Sequence, residues 1–211
     1  MYRQMFQYVK ELLESNHGEE TNIRKYPFRK RSEHIKRVFS WAEVLVYDEP
    51  DINGEAVLTA AIFHDAGYTA PCYDINHAEN SVVICEKYLK EHGFEPGFTD
   101  FVVYLVKNHS NKELMREKDT PKELILLMEA DLLDETGALS IVWDCMSEGN
   151  EGTQSYEKTY NRIIDYTYRT MKSNPMVTPK ARAIWERKQE LVEDFLRHLK
   201  YDLAPVKGER I

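Results

Sequence analysis

Five polar side chains in this sequence lie on otherwise apolar helical stripes, where an uncompensated polar group is costly. His34 shares a face with Val38, Trp41 and Leu45, and His64 shares one with Val57 and Ala61. Asp65 follows directly and lies over Leu58, Ala61 and Ile62. His109 ends a segment carrying Val102, Leu105 and Val106, and Asp131 ends one carrying Leu124, Leu127 and Met128. Singly, an inward histidine is usually a satisfied core group, and one His-Asp pair says little. Separate helices that each aim a His or an Asp inward say more. A buried carboxylate must be paired, protonated or bound to a cation. Together His34, His64, Asp65 and Asp131 offer nitrogen and oxygen donors suited to a divalent first-row metal. Helices are stiff enough to hold such donors at the ~2.0 to 2.2 Å these bonds require.

The order His34, then His64-Asp65, then Asp131 resembles the signature of the HD-domain superfamily of metal-dependent phosphohydrolases. The resemblance rests on His34-Ile35-Lys36-Arg37-Val38, on Ala60-Ala61-Ile62-Phe63-His64-Asp65-Ala66-Gly67-Tyr68, on Lys107-Asn108-His109-Ser110 and on the run from Glu129 to Ala138. It covers about Ser32 to Ala138, and it implies an all-α, HD-type helical bundle with the four residues on one metal ion. It also implies hydrolysis of a phosphate ester or anhydride, commonly in a nucleotide. Some relatives hold a second ion. By that resemblance Asp65 bridges the two, and His77 and His109 hold the second. Two plainer readings stand beside this: His77 as a residue that merely opens a helix, and His109 as a phosphate-binding or proton-donating group. The implied cofactor is a divalent metal ion, one or two of Mn, Fe, Co, Ni, Zn or Mg. The implied partner is a small phosphorylated substrate, foremost a nucleotide.

Phosphorus chemistry gives these residues roles. Attack on an anionic phosphorus centre needs a nucleophile at neutral pH and cations to offset developing charge, and a divalent ion supplies both. Metal-bound water, with its pKa drawn down to ~7, is the expected nucleophile, and Asp65 is placed to orient it. Arg37 lies one turn after His34 and is expected to hold a phosphate oxygen bidentately. Lys107 and Lys112 are further phosphate candidates, each equally readable as a surface residue. Asp134, one turn past Asp131, either supports a metal ligand, meets a ribose or is simply solvated.

Helices must carry all of this, and helical periodicity recurs along most of the chain while alternating strand patterns are scarce. The first helix runs over Tyr2 to Ser15 and breaks at Asn16-His17-Gly18. Past the basic stretch Arg24 to Arg31, Ser32 is the expected cap of the helix carrying His34, which ends before Pro50. Asn53-Gly54 opens the helix leading to His64, and Gly67 is expected to stop it. A helix from about Asn76 to His92 ends on Gly93, and Pro96 is expected to delay the next, from about Thr99 to Asn108. The loop Ser110 to Thr120 is polar. Pro121 starts the helix carrying Asp131, and another follows from Glu135 to Met146. Gly149 and Gly152 mark Ser147 to Ser155 as the clearest internal break. Beyond it lies a C-terminal helical layer, near Tyr156 to Met171 and Ala181 to Leu199. In its last helix Ile184, Trp185, Leu191, Val192, Phe195 and Leu199 form an expected core face. The expected organisation is a single HD-type domain over 1–211, with the metal-binding core at about 32–138 and C-terminal helices at about 156–199.

Composition narrows the function classes. With 42% hydrophobic and 30% charged residues over 211 positions, the chain has a globular balance and enough length for a core without disulfides. A net charge of -8 argues against a nucleic-acid polymer or an anionic membrane as partner. It still permits a small anionic substrate, because a local metal outweighs the global field. Charges within Met1 to Glu14 break any signal-peptide core. No run approaches the ~18 apolar residues of a membrane span. The three cysteines, Cys72, Cys85 and Cys145, show no CxxC spacing. The expected setting is therefore cytoplasmic, with reduced thiols. Nothing in the sequence sets an oligomeric state. Two other classes remain open: an HD-type di-iron oxygenase, revealed by iron content and substrate-dependent oxygen uptake, and a non-catalytic metal-binding helical module, which would unfold on chelation and show no turnover.

Overall fold

In the computed structural model, which describes residues 1–15, 28–47, 49–69, 76–149 and 151–205, every regular element among the described residues is helical. The chain divides into two compact units, Met1–Asp134 and Glu135–Ile211.

The first unit contains α1 (Tyr2–Ser15), α2 (Arg31–Val46), α3 (Gly54–Phe63), α4 (His77–Glu91), α5 (Pro96–Asn108) and α6 (Lys122–Leu133), with short 3-10 turns at Ala66–Thr69 and Lys112–Arg116. Helix α3 is apolar around nearly its whole circumference, and Ala56, Val57 and Thr59 to Phe63 are buried. A helix of this kind belongs at the centre of a bundle, and α2, α5 and α6 pack around it. Asn53 caps α3 by accepting the Ala56 amide at 3.0 Å.

Several boundaries move from their expected places for identifiable reasons. Ser32 does not cap α2. Lys30 takes the cap position, and the Ser32 hydroxyl donates to Glu14 instead. Helix α3 ends at Phe63, ahead of Gly67, so His64 and Asp65 occupy the turn that follows it. Gly67 serves closeness rather than termination. Its amide donates to Ser81 Oγ at 2.8 Å, and a Cβ there would drive into the His77 carbonyl and the Ser81 amide nitrogen. Gly93, at φ 73°, closes α4 as expected. Its amide bonds to the Lys90 carbonyl and that of Phe94 to the Leu89 carbonyl, the paired bonds of a Schellman end. Pro96 opens α5 at once, since a first-turn position needs no amide donor. Pro121 sits one position earlier than expected, as the cap of α6.

The second unit contains α7 (Ala138–Gly149), α8 (Tyr156–Ile163), which continues through a π-helical stretch (Ile164–Tyr168) into the turn Arg169–Met171, and α9 (Pro179–Leu203). The division of the chain thus falls after Asp134, and the Gly152 turn, at φ 86°, lies inside the second unit. Thr178 caps α9 by accepting the Ala181 amide, which starts the helix two residues before Ala181. Its buried stripe is Ala181, Trp185, Val192 and Leu196. Leu191 and Phe195, expected on the core face, are 45% and 38% exposed, because the buried face is rotated away from them. No helix among the described residues is long and apolar enough to cross a membrane.

Candidate metal centre

Three imidazoles are oriented from behind. The Nδ1 atoms of His64 and His109 lie 2.8 and 2.7 Å from the carbonyls of Ala61 and Val106, each one turn earlier in the chain. A carbonyl only accepts, so each Nδ1 carries a hydrogen and each ring turns its Nε2 forward. His34 Nδ1 meets Asp134 Oδ2 at 2.7 Å, which turns its Nε2 the same way. The position of His64 and His109 in the turns immediately after α3 and α5 makes these carbonyls available.

The forward nitrogens converge with two carboxylates. His34 Nε2 and His64 Nε2 are 3.3 Å apart, and they lie 3.4 and 3.9 Å from Asp131 Oδ1. Asp65 turns its Oδ2 toward this pair, at 3.4 and 3.6 Å. Its other oxygen, Oδ1, faces His77 Nε2 and His109 Nε2 at 3.6 and 3.5 Å. All six residues expected from the sequence therefore meet in one place. They form two groups that could each hold a metal ion, His34 with His64 and Asp131, and Asp65 with His77 and His109.

Electrostatics follow from burial and proximity. Burial pushes the His64 imidazole down to about 4 and lowers that of the half-buried His77, so both favour the neutral form that ligates. Burial opposes charge on His34 as well, but the hydrogen bonds its ring donates to Asp131, Asp134 and Asp65 overcome it and raise the ring to about 11. Burial would raise the three carboxylates, yet neighbouring positive and hydrogen-bonding groups hold all of them below the ordinary carboxylate value. For Asp65 these are chiefly His64, His109 and His34, and for Asp131 chiefly His34 and Lys112.

The Arg37 guanidinium is engaged within the protein. Its Nε and one terminal nitrogen clamp Asp134 at 2.7 and 2.9 Å, so the fork is turned onto the carboxylate that positions His34. Asp134 is buried against His34 rather than meeting solvent. Lys112 reaches Asp131 Oδ2 at 2.6 Å, whereas Lys107 is exposed on α5. His92 stacks on Tyr88, and His198 is exposed. His17, Cys72 and residues 70–75 lie outside the described residues.

Three site residues escaped the sequence reading. Arg31 donates to Asp65 Oδ2 at 2.8 Å. Tyr68 stacks on His77 with 4.6 Å between ring centroids, and the Arg31 guanidinium lies 4.1 Å from the Tyr68 ring centroid. Ser110 Oγ is 3.1 Å from both His77 Nε2 and His109 Nε2. The available signals were adjacency alone, Tyr68 next to Gly67 and Ser110 next to His109, while Arg31 was hidden in a basic run.

An all-helical bundle that gathers a His, a His-Asp pair and a later Asp at its centre defines the HD class of fold. The HD domain family model matches residues 31–136, and the chain belongs to that family. No curated protein matches it. Among solved structures it is similar to an HD-superfamily hydrolase from Bacillus thuringiensis, at 19% identity and TM-score 0.69 over 97% of each chain. A predicted HD-superfamily hydrolase from an uncultured Thermotogales bacterium is also 19% identical, with TM-score 0.67 over 96% of this chain and 92% of that one. Bacillus subtilis YpgQ, solved in complex with ADP, is 20% identical, with TM-score 0.65 over 98% of this chain and 96% of that one. At such identities the likeness is one of fold.

Proposed function

We propose that this chain is a metal-dependent phosphohydrolase that cleaves a phosphate ester or anhydride of a small nucleotide in the cytoplasm. The observation that carries the reading is the division of Asp65, one oxygen toward His34 and His64 and the other toward His77 and His109. Donors bonded at ~2.0 to 2.2 Å around one ion stand roughly 2.9 to 3.6 Å from one another, depending on coordination angle. The separations here, mostly 3.3 to 3.6 Å, fit two such ions bridged by Asp65. Bound divalent cations supply Lewis-acid charge at the phosphoryl group and an activated water. The chain's own residues do the rest. Asp134 and the Ala61 and Val106 carbonyls hold the imidazoles in their ligating tautomer. Arg31 and Lys112, each held by a site carboxylate, place positive charge beside the two groups of metal donors. The ADP bound to YpgQ supports a nucleotide as substrate class.

The test is a screen of nucleoside mono-, di- and triphosphates and dinucleotides with Mn, Co, Ni, Zn and Mg, alongside elemental analysis. Metal-dependent release of phosphate or nucleotide is expected. No hydrolysis of any of them with metal bound would overturn the reading. The four-His, two-Asp set also matches what a di-iron oxygenase would need, and oxygen uptake by the iron-loaded protein tests that second reading.

A further inference from the structure

We infer that the Ser110 hydroxyl is a fourth protein donor to the second cation, completing the set Asp65, His77 and His109. The inference rests on the two-cation reading above and adds a ligand to it.

Ser110 Oγ lies 3.1 Å from His77 Nε2 and 3.1 Å from His109 Nε2. Asp65 Oδ1 lies 3.6 and 3.5 Å from the same two nitrogens. Two oxygens therefore flank one pair of imidazole nitrogens, at separations of cis donors around a single ion with bonds of ~2.0 to 2.2 Å. Without a cation the three atoms form a hydrogen-bonded chain, Ser110 Oγ accepting from a His77 Nε2–H and donating to His109 Nε2. A cation that takes both nitrogens finds the hydroxyl oxygen already beside them, at 3.1 Å from each. A cation among these donors satisfies both nitrogens and the hydroxyl oxygen together.

The local chain makes the placement inexpensive. Ser110 directly follows His109, the residue that ends α5, so one turn delivers two donors. Its exposed position leaves the hydroxyl on the open side of the second group, where His77 is itself only half-buried. An alcohol oxygen is a hard, neutral donor, which adds no charge and suits Mn or Mg better than a third imidazole would.

Cobalt alone is the probe, with calorimetry for stoichiometry and absorption spectra for ligand type. Wild type should bind two Co ions. Ser110→Ala should weaken the second by about tenfold or more and leave the first unchanged, in line with what loss of a supporting contact costs a metal site. Ser110→Cys should show a new sulfur-to-cobalt charge-transfer band in the near ultraviolet, read as a difference against wild type because the chain already has three cysteines. A residue that only hydrogen-bonds to histidine gives no such band. Two ions in wild type, with Ser110→Ala unmoved and no band in Ser110→Cys, would overturn the Ser110 assignment alone. A single ion in wild type would overturn the two-cation reading and this inference with it.

Discussion

A proton and a divalent cation compete for the same atom of His34. Its Nε2 faces carboxylate oxygens of Asp65 and Asp131 at 3.4 Å each, and the attraction that holds a proton there also holds a metal. With the ring raised to about 11, a cation arriving at neutral pH must displace that proton. Binding should therefore release about one proton, and affinity should rise up to tenfold per pH unit across neutrality. Calorimetry in buffers of different ionisation enthalpy measures the release, and a pH-independent affinity would refute the competition. Asp65 carries both halves of the site, so Asp65→Asn should abolish metal binding and turnover together. Full metal content with normal rates in that variant would sink the assignment. Asp134 acts at one remove, through its 2.7 Å contact with His34 Nδ1. Asp134→Asn should weaken cation affinity about 10- to 100-fold while leaving the helical circular-dichroism spectrum intact. Unchanged affinity would show that Asp134 merely pairs with Arg37.

Elements set how well these atoms stay in register, and two glycines separate local from tertiary effects. Gly67 lets the turn after Asp65 approach the start of α4, where His77 begins. Gly67→Ala should cost about 1 to 3 kcal/mol by overpacking and should also remove the second cation, because His77 moves with its helix. Gly93→Ala meets no neighbour but sits at φ 73°. It should cost roughly 1 to 2 kcal/mol through backbone strain and leave metal stoichiometry at the wild-type value. Thermal melts with metal titrations check both, and equal metal losses in the two variants would contradict the assignment. The same contrast explains what the sequence disclosed. The Asn53 cap, the Gly93 stop and the inward His and Asp positions are local signals, readable within one or two turns. The end of α3 was misread because contacts between Gly67 and α4 decide it. The clamp of Arg37 on Asp134 joins residues 97 positions apart, beyond the reach of any local pattern. The rotated face of α9 escaped because apolar residues occupy more than one side of that helix.

Across the whole molecule these ionisations become a dependence of stability on pH. His64 is held down to about 4 by burial, against an ordinary 6.5. The unfolded chain therefore binds its proton first, and stability falls as pH drops from 6.5 toward 4. Asp65, Asp131 and Asp134 are all held below their ordinary 3.8, so their contribution is present above that value and is lost on further acidification. His34 behaves oppositely. Its folded value of about 11 lies above 6.5, so its contribution is complete below 6.5 and is lost progressively as pH rises toward 11. Protein stripped by a chelator should thus be most stable near pH 6.5, with His64 limiting the acid side and His34 the alkaline side. A bound cation replaces the His34 proton, which removes the alkaline loss, and it binds only the folded site, which adds ~2.7 kcal/mol at a free concentration 100 times Kd. The rise in Tm on adding Mn should therefore grow between pH 6 and 9, and the Asp65→Asn variant should show no rise at any pH. Melts at one ionic strength over that range measure this directly. A Mn-induced shift that is flat or shrinks with pH would mean that His34 does not exchange its proton for the metal.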